Sequence, residues 1–162
     1  AYLLALPSPR SLAIGAGISL LGILLRGWAA GHLRKHEQLS ISGPYAYTRN
    51  PLYLGSLILA TGCLVAGRSW PAAVLFALYF LLFYPAVMRR EEAELRTRYG
   101  AAFDDYARRV PLFLPIPGRS IASEPRFSRT LYGRNREYQA ALGFLVGIAL
   151  LGLRIYWQWP WS

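Results

Sequence analysis

The chain has 162 residues, 54% of them hydrophobic and only 16% charged, with a mean hydropathy of +0.27. Soluble domains carry about 25% charged residues, so a water-soluble globular class is excluded. The net charge of +10 would suit nucleic acid, but the 18 Lys and Arg cluster between long apolar runs, a membrane-protein distribution that excludes that partner.

Four runs read as membrane spans, each inside the range of about 17–25 residues that a bilayer requires. The first is 11–31, uncharged except for Arg26. The chain begins at Ala1 without a Met, and no charged n-region with a cleavage site precedes this run, so it reads as a span rather than a signal peptide. The second and third, 51–67 and 71–88, carry no charge and are separated by only "RSW", which predicts a tight helical hairpin. The fourth is 138–159, interrupted by Arg154. Segment 32–50 carries Arg34, Lys35 and Arg49, and segment 89–137 carries eleven arginines, so both are expected on the cytoplasmic side. Trp157, Trp159 and Trp161 would then anchor the last helix in the outer interface. The expected fold class is all-α, an integral membrane helical bundle of about four transmembrane helices forming one domain over 1–162. The lone Cys63, inside a span, excludes a disulfide framework or a thiolate metal cluster within one chain.

The stretch "SGPYAYTRNPLYLG", 42–55, carries polar chemistry at the mouth of the second span. Asn50 is a suitable N-cap and Pro51 suits the first helical position. The unpaired N–H groups of that helix start, with Arg49 beside them, form a place for a carboxylate or phosphate. The plainer reading is a capped helix with a snorkelling Arg and interfacial tyrosines. Beyond the third span, "MRREEAELRTRYGAAFDDYARRVPLFLP" predicts a continuing helix broken at Gly100, then a short amphipathic helix up to Pro111. Glu92–Arg96 and Glu94–Arg98 have favourable (i, i+4) spacing, whereas Glu91 continues the stripe Tyr84, Met88, Glu91, Leu95. A carboxylate facing the bundle there needs a cation, either Arg49 or a ligand ammonium.

Together these two stretches resemble the isoprenylcysteine carboxyl methyltransferase family, grouped with the phospholipid N-methyltransferases. The likeness runs from about residue 39 to 115. The family's first motif falls on Gly43, Tyr45, Arg49, Asn50, Pro51, Tyr53 and Gly55. Its second falls on Glu91, Glu92, Leu95, Tyr99, Gly100, Phe103, Tyr106, Val110 and Pro111. Asn50 departs from the pattern, since the family's best-known members have His there. The resemblance implies that both motifs and the cytoplasmic helices wall a cytoplasm-facing pocket for S-adenosylmethionine, with the paired glutamates near the methionine moiety. The expected cofactor-binding residues are Tyr45, Tyr47, Arg49, Asn50, Pro51, Tyr53, Leu54, Gly55, Glu91 and Glu92. Glu91 is favoured over Glu92 for the ligand ammonium, because Glu92 has a helix partner in prospect. Arg49 and Arg26 are the expected catalytic residues, holding an anionic acceptor or the cofactor carboxylate.

His32 and His36 share (i, i+4) spacing, but no third ligand is evident and no metal is expected. The segment 112–137 reads as a membrane-surface connector whose arginines face lipid headgroups. Gly143 and Gly147 form a G-x-x-x-G that permits close packing, expected within the bundle in preference to between protomers. The resulting expectation is a methyltransferase of the bacterial inner membrane, its active site facing the cytoplasm. It would act on a lipophilic acceptor from the bilayer: an isoprenylcysteine-type carboxylate, a phospholipid amine, or a small lipophilic acid or thiol. A sterol-type reductase using NADPH and a non-enzymatic membrane scaffold are the alternatives.

Overall fold

The computed structural model describes residues 5–34, 38–116 and 127–158. Lys35, His36, Trp159, Trp161 and the connector residues 117–126 lie outside them, and with them the expectations placed on those positions. The described residues are helical: α1 (Pro9–Ala30), α2 (Pro51–Gly67), α3 (Trp70–Tyr99), α4 (Ala101–Arg109), α5 (Arg129–Arg134) and α6 (Tyr138–Gln158), with a 3-10 turn at Gly43–Ala46.

Three of these, α1, α3 and α6, are long and apolar enough to cross a membrane, and α2 is a shorter apolar helix of 17 residues. Their outward faces carry large apolar side chains with no protein against them, such as Leu75, Leu81, Leu82, Leu142 and Leu153. Water would penalise such a surface heavily, whereas lipid suits it. The all-α membrane bundle read from the sequence is what the structure shows.

Small residues set how α1 and α2 meet. The two helices run antiparallel, and a Cβ on Gly22 or Gly62 would collide with Leu59 or Ser19 of the other helix. Ser19 is fully buried there and donates its hydroxyl to the Leu59 carbonyl at 3.0 Å. In lipid, where lipid tails remove the hydrophobic drive between helices, such close backbone approach supplies the attraction. Among the described residues the expected packing of Gly143 and Gly147 within the bundle is not met, because none lies within 4 Å of a Cβ built at either.

The hairpin between α2 and α3 is as tight as "RSW" suggests. Arg68 closes it in the left-handed region (φ 48°), an uncommon conformation for a residue with a Cβ. α3 has 30 residues, about 45 Å, so it crosses the apolar layer and continues beyond it. Gly100 (φ 52°) then turns the chain into α4. The amphipathic α4 folds back, burying Phe103 and Tyr106 with Val110 against Leu39, Leu95 and Tyr99. The end of α1, the starts of α2 and α6, and the far end of α3 therefore gather at one end of the bundle.

Candidate active site

The two polar stretches are stitched together by backbone groups. Arg49 donates its amide to the Pro111 carbonyl at 2.9 Å, and Thr48 donates its hydroxyl to Phe113 at 2.6 Å. The Asn50 side-chain amide donates to the Leu112 carbonyl at 2.9 Å. Asn50 stands at the N-cap position of α2 but makes no side-chain cap bond. The expectation of a capping Asn is corrected: its side chain reaches sideways to the second motif, leaving the helix start uncapped by it. Tyr106 completes the stitch, donating to the Tyr45 carbonyl at 2.7 Å.

Above this junction lies a cavity of about 520 Å³, within the range of roughly 300–1,000 Å³ of small-molecule sites. Of the sequence-expected residues, Arg26, Tyr45, Arg49, Asn50, Pro51, Tyr53, Glu91 and Glu92 line it. Tyr47, Leu54 and Gly55 do not line it: Tyr47 is exposed, and Gly55 packs against the Arg26 side chain. Leu95, Tyr99, Phe103 and Tyr106 join the lining, as does the stretch around Leu39 and Ser40.

The carboxylates are distributed differently from the sequence expectation. Glu92 pairs with Arg49 at 2.7 Å, not with Arg96, which turns to Asp104 at 2.8 Å. Glu94 takes Arg90 rather than Arg98. The half-buried stripe of α3 runs through Met88, Glu92, Leu95 and Tyr99, while Glu91 lies at its exposed edge. Tyr84, Met88 and Leu95 of the expected stripe do lie on it, but its acidic member is Glu92, one residue on from the expected Glu91. One residue is 100° of helix rotation, enough to exchange the partners of two adjacent acids. Glu91 instead accepts a hydrogen bond from the Tyr53 hydroxyl at 2.6 Å.

Arg26 is tied down completely. Its Nε and Nη2 donate to the two Glu137 oxygens at 3.0 and 2.9 Å, a bidentate pair. Its Nη1 reaches the Leu52 carbonyl at 3.3 Å and the Ser56 hydroxyl. Glu137, only 10% exposed in its side chain, was missed by sequence reasoning. The available signal was an acid at the start of a span in a chain with an intramembrane Arg.

Burial raises the Tyr45 phenol well above its ordinary range, and the neighbouring Tyr106, Glu91 and Glu137 push it further, Arg26 opposing them. Tyr106 is raised by burial and by Glu92, with Arg49 opposing. Both phenols therefore remain protonated donors at neutral pH. Two buried atoms in this cavity have no hydrogen-bond partner among the described residues: Arg49 Nε and Glu92 Oε1. Glu92 Oε1 is the oxygen that meets Arg49 Nη1 at 2.7 Å and is charge-paired through it, so Arg49 Nε is the buried donor left without an acceptor. No cluster of His, Cys, Asp and Glu suited to a metal occurs among the described residues. His32 is buried and bonds its Nδ1 to the Trp28 carbonyl at 2.9 Å.

Comparison with known proteins gives this geometry a setting. The chain is 38% identical to the nickel-cobalt-cadmium resistance protein NccN of Alcaligenes xylosoxydans xylosoxydans over 104 residues, 60% of this chain and 48% of that protein. It is 31% identical to protein-S-isoprenylcysteine O-methyltransferase of Schizosaccharomyces pombe over 87 residues, 54% of this chain and 37% of that protein. A more weakly matching Delta(14)-sterol reductase of Mus musculus is 36% identical over 76 residues, 46% of this chain and 18% of that protein. The chain spans about half, or less, of the length of these relatives. No solved structure matches it. The phospholipid methyltransferase family model matches residues 12–102, from α1 through α3 and so through both halves of the cavity wall. The chain belongs to the phospholipid methyltransferase family.

Proposed function

We propose that this chain is an integral membrane methyltransferase that moves a methyl group from S-adenosylmethionine to a lipophilic acceptor drawn from the bilayer. The observation that carries the donor assignment is the Arg49–Glu92 pair in the cavity wall, with Arg49 Nε buried and without a hydrogen-bond acceptor. An amino-acid zwitterion suits both members of the pair: its carboxylate accepts from Arg49 Nε, and its ammonium donates to the Glu92 carboxylate. The methionine moiety of the donor is such a zwitterion, so the residues present fit the group. S-adenosylmethionine would supply an already activated, sulfonium-bound methyl. Glu92 thereby takes the ammonium role that the sequence suggested for Glu91.

The protein's own work is then positioning and the exclusion of water. Arg49 and Glu92 anchor the polar end of the donor, and the buried Tyr45 and Tyr106 hold the junction of the two motifs behind it. The basic flanks of the cavity support an orientation facing the cytoplasm, in the inner membrane of a bacterium. Calorimetric titration of the purified protein with S-adenosylhomocysteine and with NADPH tests the donor. Binding of the former and not the latter is expected. The reverse would favour the reductase reading, and no binding of either would favour a scaffold.

A further inference from the structure

We propose that the strap 111–116, which follows α4, is inserted into the bilayer beside α3, with Leu114 and Ile116 among the lipid acyl chains and the Phe113 ring as its anchor. The strap reads "PLFLPI", without a charged or polar side chain, and it forms no helix. It leaves α4 just after Arg108 and Arg109, both exposed. Cations followed by an apolar anchor suit the boundary between headgroups and acyl chains.

Phe113 fixes the depth of the strap. Its ring packs on the Phe80 ring at 5.8 Å. Phe80 precedes Arg89, the first cation of α3, by nine residues, about 13 Å along the helix. It is buried, whereas Leu81, Leu82 and Phe83 beside it face outward into the apolar layer. The strap therefore dips from the polar end of the bundle to the level of lipid-facing side chains.

Non-helical backbone at such a depth is tolerated where protein satisfies its polar groups. The carbonyls of Pro111, Leu112 and Phe113 accept from the Arg49 amide, the Asn50 side chain and the Thr48 hydroxyl, at 2.9, 2.9 and 2.6 Å. Pro111 and Pro115 have no N–H to satisfy. What the strap turns outward is apolar: Leu114 is 63% exposed and Ile116 46%. Water would penalise that patch, and it continues the lipid-facing belt of α3. Tyr47, which does not line the cavity, is exposed next to Thr48, and an aromatic hydroxyl suits the membrane interface. Arg49 and Asn50 both grip the strap and line the cavity, so lipid contact there bears directly on the site.

The test is spin labelling of the full chain in phosphatidylcholine–phosphatidylglycerol nanodiscs, in a Cys63→Ala background. Single labels are placed through Leu114→Cys and Ile116→Cys. Leu82→Cys, on the outward side of α3, and Thr97→Cys, beyond its apolar part, are the lipid and water references. Collision with oxygen, which concentrates among acyl chains, is compared with collision with a nickel chelate, which stays in water. Both strap labels should give an oxygen-to-chelate ratio within about threefold of Leu82→Cys and about fivefold or more above Thr97→Cys. Adding Phe113→Ala, which removes the ring on Phe80, should lower the ratio at Ile116→Cys about threefold or more. Ratios at 114 and 116 equal to that of Thr97→Cys overturn the proposal, because the strap then lies in water. Poor collision with both reagents also overturns it, because protein then covers the strap. An unchanged ratio with Phe113→Ala overturns the anchoring by Phe113.

Discussion

Glu91 and Glu92 are adjacent in sequence, yet one faces a phenol and the other a guanidinium. Charge-assisted bonds of the kind Glu92 would make to an ammonium are worth about 1.5–3 kcal/mol. Glu92→Gln should therefore weaken S-adenosylhomocysteine about tenfold to a hundredfold, and Glu91→Gln only a few-fold, in paired binding isotherms. The opposite ranking would return the ammonium to Glu91. Asn50 carries a different prediction. Its amide is the side-chain link from the first motif to the Leu112 carbonyl, and a buried carbonyl left without a donor costs about 1–3 kcal/mol. Asn50→Leu should lower thermal stability by that amount, measured on detergent-solubilised protein. An unchanged melting temperature would mean that the carbonyl finds water.

Among the helices, close approach decides what tolerates change. On α1 and α2, Gly22 and Gly62 face atoms of the opposing helix, whereas Gly143 and Gly147 of α6 face nothing within 4 Å. Forcing a side chain into a filled interface costs about 1–3 kcal/mol and sometimes more. Gly22→Leu and Gly62→Leu should lower the unfolding midpoint clearly, while Gly143→Leu should leave it nearly unchanged. A destabilised Gly143→Leu would mean that α6 packs there against something beyond this chain. The sequence drew attention to the G-x-x-x-G of α6 because the spacing is conspicuous. The working contacts set Gly22 of α1 against Gly55 and Leu59 of α2, and Gly62 of α2 against Gly15 and Ser19 of α1, and no local spacing reveals a partner on another helix.

At the scale of the whole molecule, the antiparallel order of α1, α2, α3 and α6 places the two motif stretches and Glu137 at one end of the bundle. Trp70 and Thr97, at opposite ends of α3, should therefore label from opposite sides of the membrane when changed singly to Cys in a Cys63→Ala background, with Thr97→Cys reached from the cytoplasm. Labelling of both from one side would sink the topology. The Arg26–Glu137 pair closes the bundle by tying the start of α6 to α1 and α2. Removing one partner of a buried pair costs about 3–5 kcal/mol, because the other charge is left uncompensated. Glu137→Ala should thus destabilise strongly, and Arg26→Met combined with Glu137→Leu should restore much of the loss. A double variant no better than Glu137→Ala would show that the pair contributes more than mutual neutralisation.

By itself the sequence determined the class and the four apolar helices, because apolar run length and the placement of arginines answer directly to the bilayer. It also determined most of the cavity: Tyr45, Arg49, Tyr53, Glu91, Glu92 and Tyr106 lie in two contiguous stretches whose residue types announce them. Only the tertiary structure decided which acid meets Arg49, since a 100° rotation about α3 separates the two candidates and the hydrophobic stripe locates a helix face less finely than that. Only it could join Arg26 to Glu137 across 111 residues, or aim Asn50 at Leu112 instead of its own helix. Those partners are chosen by which helices pack together, and packing between distant segments leaves no local mark in the chain.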